Sequence, residues 1–333
     1  MHYRYDQKTI FVLGLPRSGT TWLAKILDSH PEVLYRHEPD IVRRNSDIPS
    51  LCPIIDADGF IHQAQAWLNT LAETSCLRTI GPPPIFPKSY HSQIERMLRQ
   101  GIIAFLKVAG RVPSFGTLSD DIRIPDLIDL NAEACRRLVM TSVSTMGRTG
   151  LLTRAAPGSR FILVLRHPWG QIESILRGSS RGQNTGTDPR IGDTIQARRR
   201  NLTPDKIKAL PQIAQLAWRW VIANETAMEE LHDAAHCQVV RLFELNHDPM
   251  RHLPGLFDFC GLSWTEQASK FIAWSTQGSG SEGYYNMKRD PTQATWGWRK
   301  RLTQCQIDAI TEIVYDSVPG RMFEVEPPPG TEE

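Results

Sequence analysis

One stretch near the start, Lys8 to Asp40 (KTIFVLGLPRSGTTWLAKILDSHPEVLYRHEPD), constrains the fold more than any other. Ile10 to Leu13 is a short apolar run with β-branched members, ending at Gly14, which suits a buried strand. Pro16 and Gly19 punctuate a turn. Thr20 to Asp28 then reads as a helix with Trp22, Leu23, Ile26 and Leu27 on its apolar side. In a strand, glycine loop and helix start, successive backbone N–H groups converge on an anion. Gly14 and Gly19 keep the spacing of a P-loop, but Thr20 and Thr21 stand where a nucleotide triphosphatase carries Lys and then Ser or Thr. The cation sits inside the loop instead, as Arg17. Together Arg17, Ser18, Thr20 and Thr21 suit a phosphate, though not the Mg-bound triphosphate of a kinase. The competing reading is a packing unit with an exposed arginine.

The helix is stopped by Ser29-His30-Pro31, because a residue before proline is pushed out of helical geometry. Val33 to Tyr35 reads as a second strand, with Arg36-His37-Glu38-Pro39 at its end. Ligands of open parallel α/β sheets bind at the carboxyl ends of strands, so Glu38 is expected to point into the same crevice as Arg17. A surface carboxylate near a turn is the alternative.

Further along, Phe161 to Leu165 (FILVL) is the clearest strand, apolar on both faces as the centre of a parallel sheet requires. It delivers Arg166 at its carboxyl end, and Pro168 suits the first turn of a following helix that carries Ser174. Arginine plus hydroxyl at a strand-to-helix junction forms a second anion site, unless Arg166 is a structural ion-pair partner. Residues 41–100 read as loop-rich, with helices over Phe60 to Ala72 and Gln93 to Gln100: a lid, a substrate wall or mere connection. Strands are expected at Ile102 to Val108, with Lys107 near its end, at Leu138 to Val143 and at Gln238 to Phe243. Helices are expected at Asn131 to Arg137 with Asn131 as cap, Ile213 to His232, Pro254 to Cys260 and Gln304 to Tyr315; Trp218 and Trp220 read as core. Residues 178–204 and 278–295 read as loops. Strands alternating with helices predict a mostly parallel, three-layer α/β fold.

The chain's 333 residues allow one large domain or two, and no boundary divides them cleanly. We therefore expect a single domain over 1–333, with a variable acceptor-side region at 41–135 and a Pro-rich acidic tail at 324–333. A net charge of +2 argues against a dedicated nucleic-acid binder, although Arg198 to Arg200 and Arg299 to Arg301 form local basic clusters. Six scattered cysteines lack metal-site spacing and read as reduced thiols. The first residues lack an apolar leader, and no apolar run approaches a membrane span. A soluble, cytoplasmic protein without a membrane or nucleic-acid partner is the expectation.

The stretches GLPRSGTTWLAKILDSHPEVLYRHEPD and RFILVLRHPWGQIESILRG, in this order and separation, resemble the 5′-phosphosulfate loop and the 3′-phosphate element of sulfotransferases. These enzymes use 3′-phosphoadenosine 5′-phosphosulfate (PAPS) as donor. LFELNHDPMRHLPGLFDFCGL and WGWRKRLT add weaker likeness, whereas 41–135 matches nothing we can name. The resemblance implies a P-loop-like fold, transfer of a sulfonate group to an acceptor hydroxyl (saccharide, peptide tyrosine or small molecule), and no required metal. It implies that Arg17, Ser18, Gly19, Thr20 and Thr21 cradle the 5′-phosphosulfate, and that Arg166 and Ser174 hold the 3′-phosphate. Trp22 is assigned either to the adenine or to the core. Arg299 is assigned to the 3′-phosphate, with Lys300 as fallback. His167 departs from the family, where Asp is common after the arginine. For the base, members acting on small phenols and steroids carry a Lys-Thr-His pattern at a strand end, and the nearest counterpart, Lys107-Val108-Ala109, has no His. Carbohydrate and tyrosylprotein sulfotransferases place a Glu shortly after the helix-Asp-x-His-Pro segment, where Glu38 stands, with His37 as runner-up. The rivals are a P-loop kinase or NTPase, lacking its Lys, and a nucleotide-binding protein without chemistry.

Overall fold

The computed structural model describes residues 2–110, 122–128, 137–179, 189–232, 236–277 and 290–323. Among these residues five parallel strands form one sheet in the order β2-β3-β1-β4-β5. They are β1 (Thr9–Leu13), β2 (Val33–Arg36), β3 (Arg137–Ser142), β4 (Arg160–Leu165) and β5 (Cys237–Arg241). The principal helices are α1 (Thr20–Asp28), α2 (Ile61–Glu73), α3 (Leu77–Ile80), α4 (Gln93–Ala109), α5 (Pro168–Ser179), α6 (Gln212–Leu231), α7 (Leu242–His247), α8 (Pro249–Cys260), α9 (Glu266–Thr276), α10 (Pro291–Trp296) and α11 (Gln304–Val314).

Alternation along the strands feeds two cores, one on each face of the sheet. Phe11, Leu13, Met140, Leu163 and Leu165 face α2, α5, α6 and α11, while Ile10, Val12, Val139, Ile162 and Val164 face α1, α8 and α9. Phe11 and Phe161, paired in register across β1 and β4, stack with centroids 5.1 Å apart. Strands buried on both faces have no polar side to show, which is why FILVL reads as an unbroken apolar run. The expected mostly parallel, three-layer α/β fold is the one observed.

A buried ionic knot ties α1 to the excursion that follows β2. Asp28 accepts from Lys25 at 2.5 Å and from Lys88 at 2.8 Å, and Lys88 also donates to the backbone carbonyls of Asp28 and His30. Deeper in the excursion, fully buried Arg36 at the end of β2 pairs with Asp126.

Several expectations need correction. Ile102 to Val108 is not a strand but the second half of α4. Ser92 and Glu95 form a reciprocal capping box that starts this helix, and nothing before Ala109 ends it. Residues 102–108 are six apolar residues in seven, a run too short to separate strand from helix by pattern. Strand β5 stops at Arg241, and Leu242 and Phe243 open α7. Helix α8 starts five residues earlier than expected, at Pro249, where Asp248 accepts from the Arg251 N–H. Residues 195–198 and 291–296 are short helices inside stretches read as loops. The expected helix from Asn131, with its cap, and the tail at 324–333 lie outside the described residues.

Candidate active site

The loop from Gly14 to Gly19 is shaped by its neighbours. A Cβ on Gly14 would lie 2.9 Å from the Val164 carbonyl oxygen of β4, so only glycine lets the loop leave the sheet this closely. Gly19 has φ 99°, and a Cβ there would meet both Leu242 methyl carbons at 2.7 Å. Between them Arg17 holds φ 71°, a left-handed conformation that L residues rarely adopt and that clusters at binding sites. The first N–H groups of α1, those of Thr20 and Thr21, have no intrahelical acceptor. Ser18 Oγ is buried without a hydrogen-bond partner among the described residues. A cradle that excludes side chains, a helix N-terminus and an orphaned buried hydroxyl are the features an anion would complete.

The second predicted element meets this loop directly. Arg17 Nε donates to Ser174 Oγ at 3.0 Å, and Arg166 donates to the Arg17 carbonyl oxygen at 2.9 Å and to that of Ala294 at 3.1 Å. Arg17, Arg166 and Ser174, up to 157 residues apart, thus share one crevice where β1 and β4 lie side by side. Gln171, which the sequence did not single out, braces it. Its amide donates to the Pro16 carbonyl at 2.8 Å and accepts from Trp220 Nε1 at 3.1 Å. Its only sequence signal is its place on the helix turn after Arg166.

The other assignments divide. Trp22 is 1% exposed in the core, its indole N–H directed to Ser275 Oγ of α9 at 3.3 Å, so of its two alternatives the core is the one it occupies. Arg299 is exposed, its guanidinium over the rings of Trp296 and Trp298 at 5.1 and 5.3 Å, and Lys300 is exposed beside it. Trp298 stands close to Arg166: a Cβ on Gly170 would lie 3.3 Å from Trp298 Cδ1 and 3.6 Å from Arg166 Nε. His167 is packed among Trp169, Trp296, Trp298 and Phe323, at centroid distances of 4.7 to 5.5 Å. Burial, with Arg299 and Arg166 nearby, pushes its pKa down to about 3. An Asp there would be a charge in an aromatic box, so the neutral imidazole suits its surroundings better.

Across the end of β3 stand the acid–base candidates. Glu38 has φ 43°, and its N–H donates to Thr141 Oγ1 at 3.0 Å. Burial and then the Asp40 carboxylate raise its pKa to about 7, against the pull of Arg78. His37 Nδ1 and Tyr35 Oη are hydrogen-bonded at 2.8 Å, and burial, then Lys25 and Arg78, push the His37 pKa down to about 4. The strand beside β1 that ends at the crevice is β3, finishing Thr141-Ser142, so Lys107 in helix α4 is not a counterpart of a strand-end Lys-Thr-His. Sequence reading also passed over Asp40, 3% exposed, which accepts from Ser142 Oγ at 2.8 Å and from Ser144 Oγ. Asp40, Leu15 and Pro16 line a cavity of about 670 Å³, walled by Arg44, Trp67 and Arg148; Glu38 is not among its lining residues.

Comparison with known proteins follows this geometry. A stretch of 82 residues is 37% identical to carbohydrate sulfotransferase 2 of mouse and of human, covering 24% of this chain and 16% of those proteins. A stretch of 178 residues is 25% identical to protein-tyrosine sulfotransferase 2 of Gallus gallus, covering 53% of this chain and 36% of that one. The chain thus spans well under half the length of these relatives. Among solved structures, the sulfotransferase domain of the Synechococcus PCC 7002 olefin synthase aligns over 92% of this chain and 94% of its own, at 17% identity and a TM-score of 0.44. The model of the sulfotransferase family matches residues 9–266, through β1, α1, β4 and α5, and the chain belongs to that family.

Proposed function

We propose that the protein transfers a sulfonate group from PAPS to an acceptor hydroxyl. The observation that carries this is the meeting of both anion elements, Arg17 Nε on Ser174 Oγ with Arg166 on the Arg17 carbonyl. Ser18, Gly19, Thr20, Thr21 and Arg17 hold the 5′-phosphosulfate, and Arg166 and Ser174 hold the 3′-phosphate, with Arg299 reaching over from the Trp296–Trp298 stack. When bound, the donor supplies an activated S–O bond to a phosphate leaving group. Arg17 and the loop N–H groups neutralise the charge that grows on the bridging oxygen as that bond breaks. Glu38, with His37 as the runner-up, takes the proton of the acceptor hydroxyl as its oxygen bonds to sulfur. The products are a sulfate ester and adenosine 3′,5′-bisphosphate. No divalent metal is needed, because a transferring sulfonate carries less charge than a phosphoryl group. The excursion after β2 supports an acceptor-side role for 41–135, since Ile41, Arg44 and Trp67 wall the cavity next to Pro16.

Calorimetric titration of adenosine 3′,5′-bisphosphate in EDTA tests the reading, with 5′-AMP and, separately, Mg-ATP as comparators. Tight metal-independent binding that needs the 3′-phosphate and vanishes in Arg166→Ala is expected. A preference for Mg-ATP, or indifference to the 3′-phosphate, would sink it.

A further inference from the structure

Helix α4 turns its more apolar side to solvent. Only Ile103 and Leu106 of its 17 residues are buried, whereas Ile94, Met97, Leu98, Phe105 and Val108 are 56–79% exposed. With exposed Gly101 and Ala104 they recur in steps of three and four, which sets them in one stripe along the helix. Single apolar side chains on a surface need no explanation, but a continuous stripe does. These side chains leave on the order of 600 Å² in water, the upper end of what a monomer shows.

Gly101 is a second, independent observation. It sits in mid-helix, where glycine is less stable than alanine, and its own chain does not call for it. Its backbone is not left-handed, and a Cβ there would meet nothing within 4 Å among the described residues. A glycine so placed in the middle of an apolar stripe lets another backbone come close.

The stripe is also symmetric about Gly101. Two copies of α4 laid antiparallel, Gly101 against Gly101, bring Ile94 of one beside Val108 of the other, Met97 beside Phe105 and Leu98 beside Ala104. Each contact then occurs twice, as a twofold interface requires. Two such faces bury on the order of 1,200 Å² together, the lower bound for a specific interface. An anionic membrane surface fits less well, because cations do not border the stripe. Arg99 turns to Asp126 at 4.0 Å, Arg96 and Lys107 are half-buried, and the exposed flanking residues Gln93 and Gln100 are uncharged.

We propose that α4 is a dimerisation element on which a second copy of this chain docks antiparallel, with a twofold axis at Gly101. The proposal does not depend on the sulfonate-transfer reading.

Sedimentation equilibrium of the full chain tests it. A reversible dimer is expected, with a dissociation constant at or below about 10 µM. Met97→Lys and Phe105→Glu each place a charge in the seam, and each should weaken the dimer about 100-fold or more. The double variant Met97→Lys/Phe105→Glu should recover it, because antiparallel pairing sets each lysine beside a glutamate, whereas parallel pairing sets lysine against lysine. Gly101→Leu should weaken the dimer about tenfold or more, yet its monomer should melt no lower than the parent's, since helices prefer leucine to glycine and the side chain has open space. A chain that stays monomeric at about 100 µM overturns the proposal, even if it binds anionic vesicles. So does a dimer that survives both single variants, or a double variant that stays dissociated.

Discussion

Glu38 is the side chain on which we propose that the proton transfer rests. With its pKa near 7, the carboxylate is half-formed at neutral pH, where a general base is most effective. kcat/KM should therefore rise about tenfold per pH unit below 7 and level off above it. Glu38→Gln should keep bisphosphate binding and lower turnover by about 10²–10⁴-fold; parental activity in this variant would move the base elsewhere. A second readout is stability. The unfolded carboxyl ionises near 4.5 while the folded one keeps its proton to about 7, so its contribution to the fold is full below 4.5 and lost as pH rises to 7. Denaturation of Glu38→Gln across that window should show a flatter pH profile than the parent. At this scale the sequence singles out candidates that sit in short motifs of their own segment, Arg17, Arg166, Ser174 and Glu38, and the first three meet in the fold. Asp40 was not legible, because its partners Ser142 and Ser144 come from β3 and beyond, over a hundred residues away.

Between elements, the loop's geometry makes Gly19 the most exacting position. Gly19→Ala must place a Cβ in left-handed backbone and against Leu242, so we expect a loss of about 1–3 kcal/mol in urea denaturation, with donor binding weakened beyond that. Asp28→Ala should cost more, about 3–5 kcal/mol, because it strands the ammonium groups of Lys25 and Lys88 in the interior. A loss below 1 kcal/mol would mean that water reaches this knot. Element types followed the strength of local signals. Helix α1 and strand β4, with clear breakers at their ends, matched expectation closely, whereas α4 hid half its length behind an apolar run that pattern alone cannot assign. The cavity was illegible for a related reason: its arginines stand on separate elements, and only the tertiary fold makes them neighbours.

For the molecule as a whole, two histidines held neutral add to the acid lability that buried Asp28 and Asp126 already confer. His37 and His167 take up protons near 6.5 when unfolded but only near 4 and 3 when folded, so stability falls as pH drops from 6.5 through those values. His167→Phe, which keeps an aromatic ring in the box, should move the acid-unfolding midpoint to lower pH; an unmoved midpoint would shift the burden to His37 and the buried carboxylates Asp28 and Asp126.

The strand order has a consequence for how the protein is made. Of the five described strands β1 is made first, yet it lies mid-sheet, bonded on one side to residues 138–142 and on the other to 160–163. Its edges therefore stay bare until residues 138–163 have been synthesised, and α1 has no sheet to rest on before then. Stalled nascent chains ending before residue 160 should remain protease-sensitive throughout, and those extending past β5 should begin to protect the first thirty residues. The loop between β1 and α1 thus waits for strands that are synthesised more than a hundred residues after it.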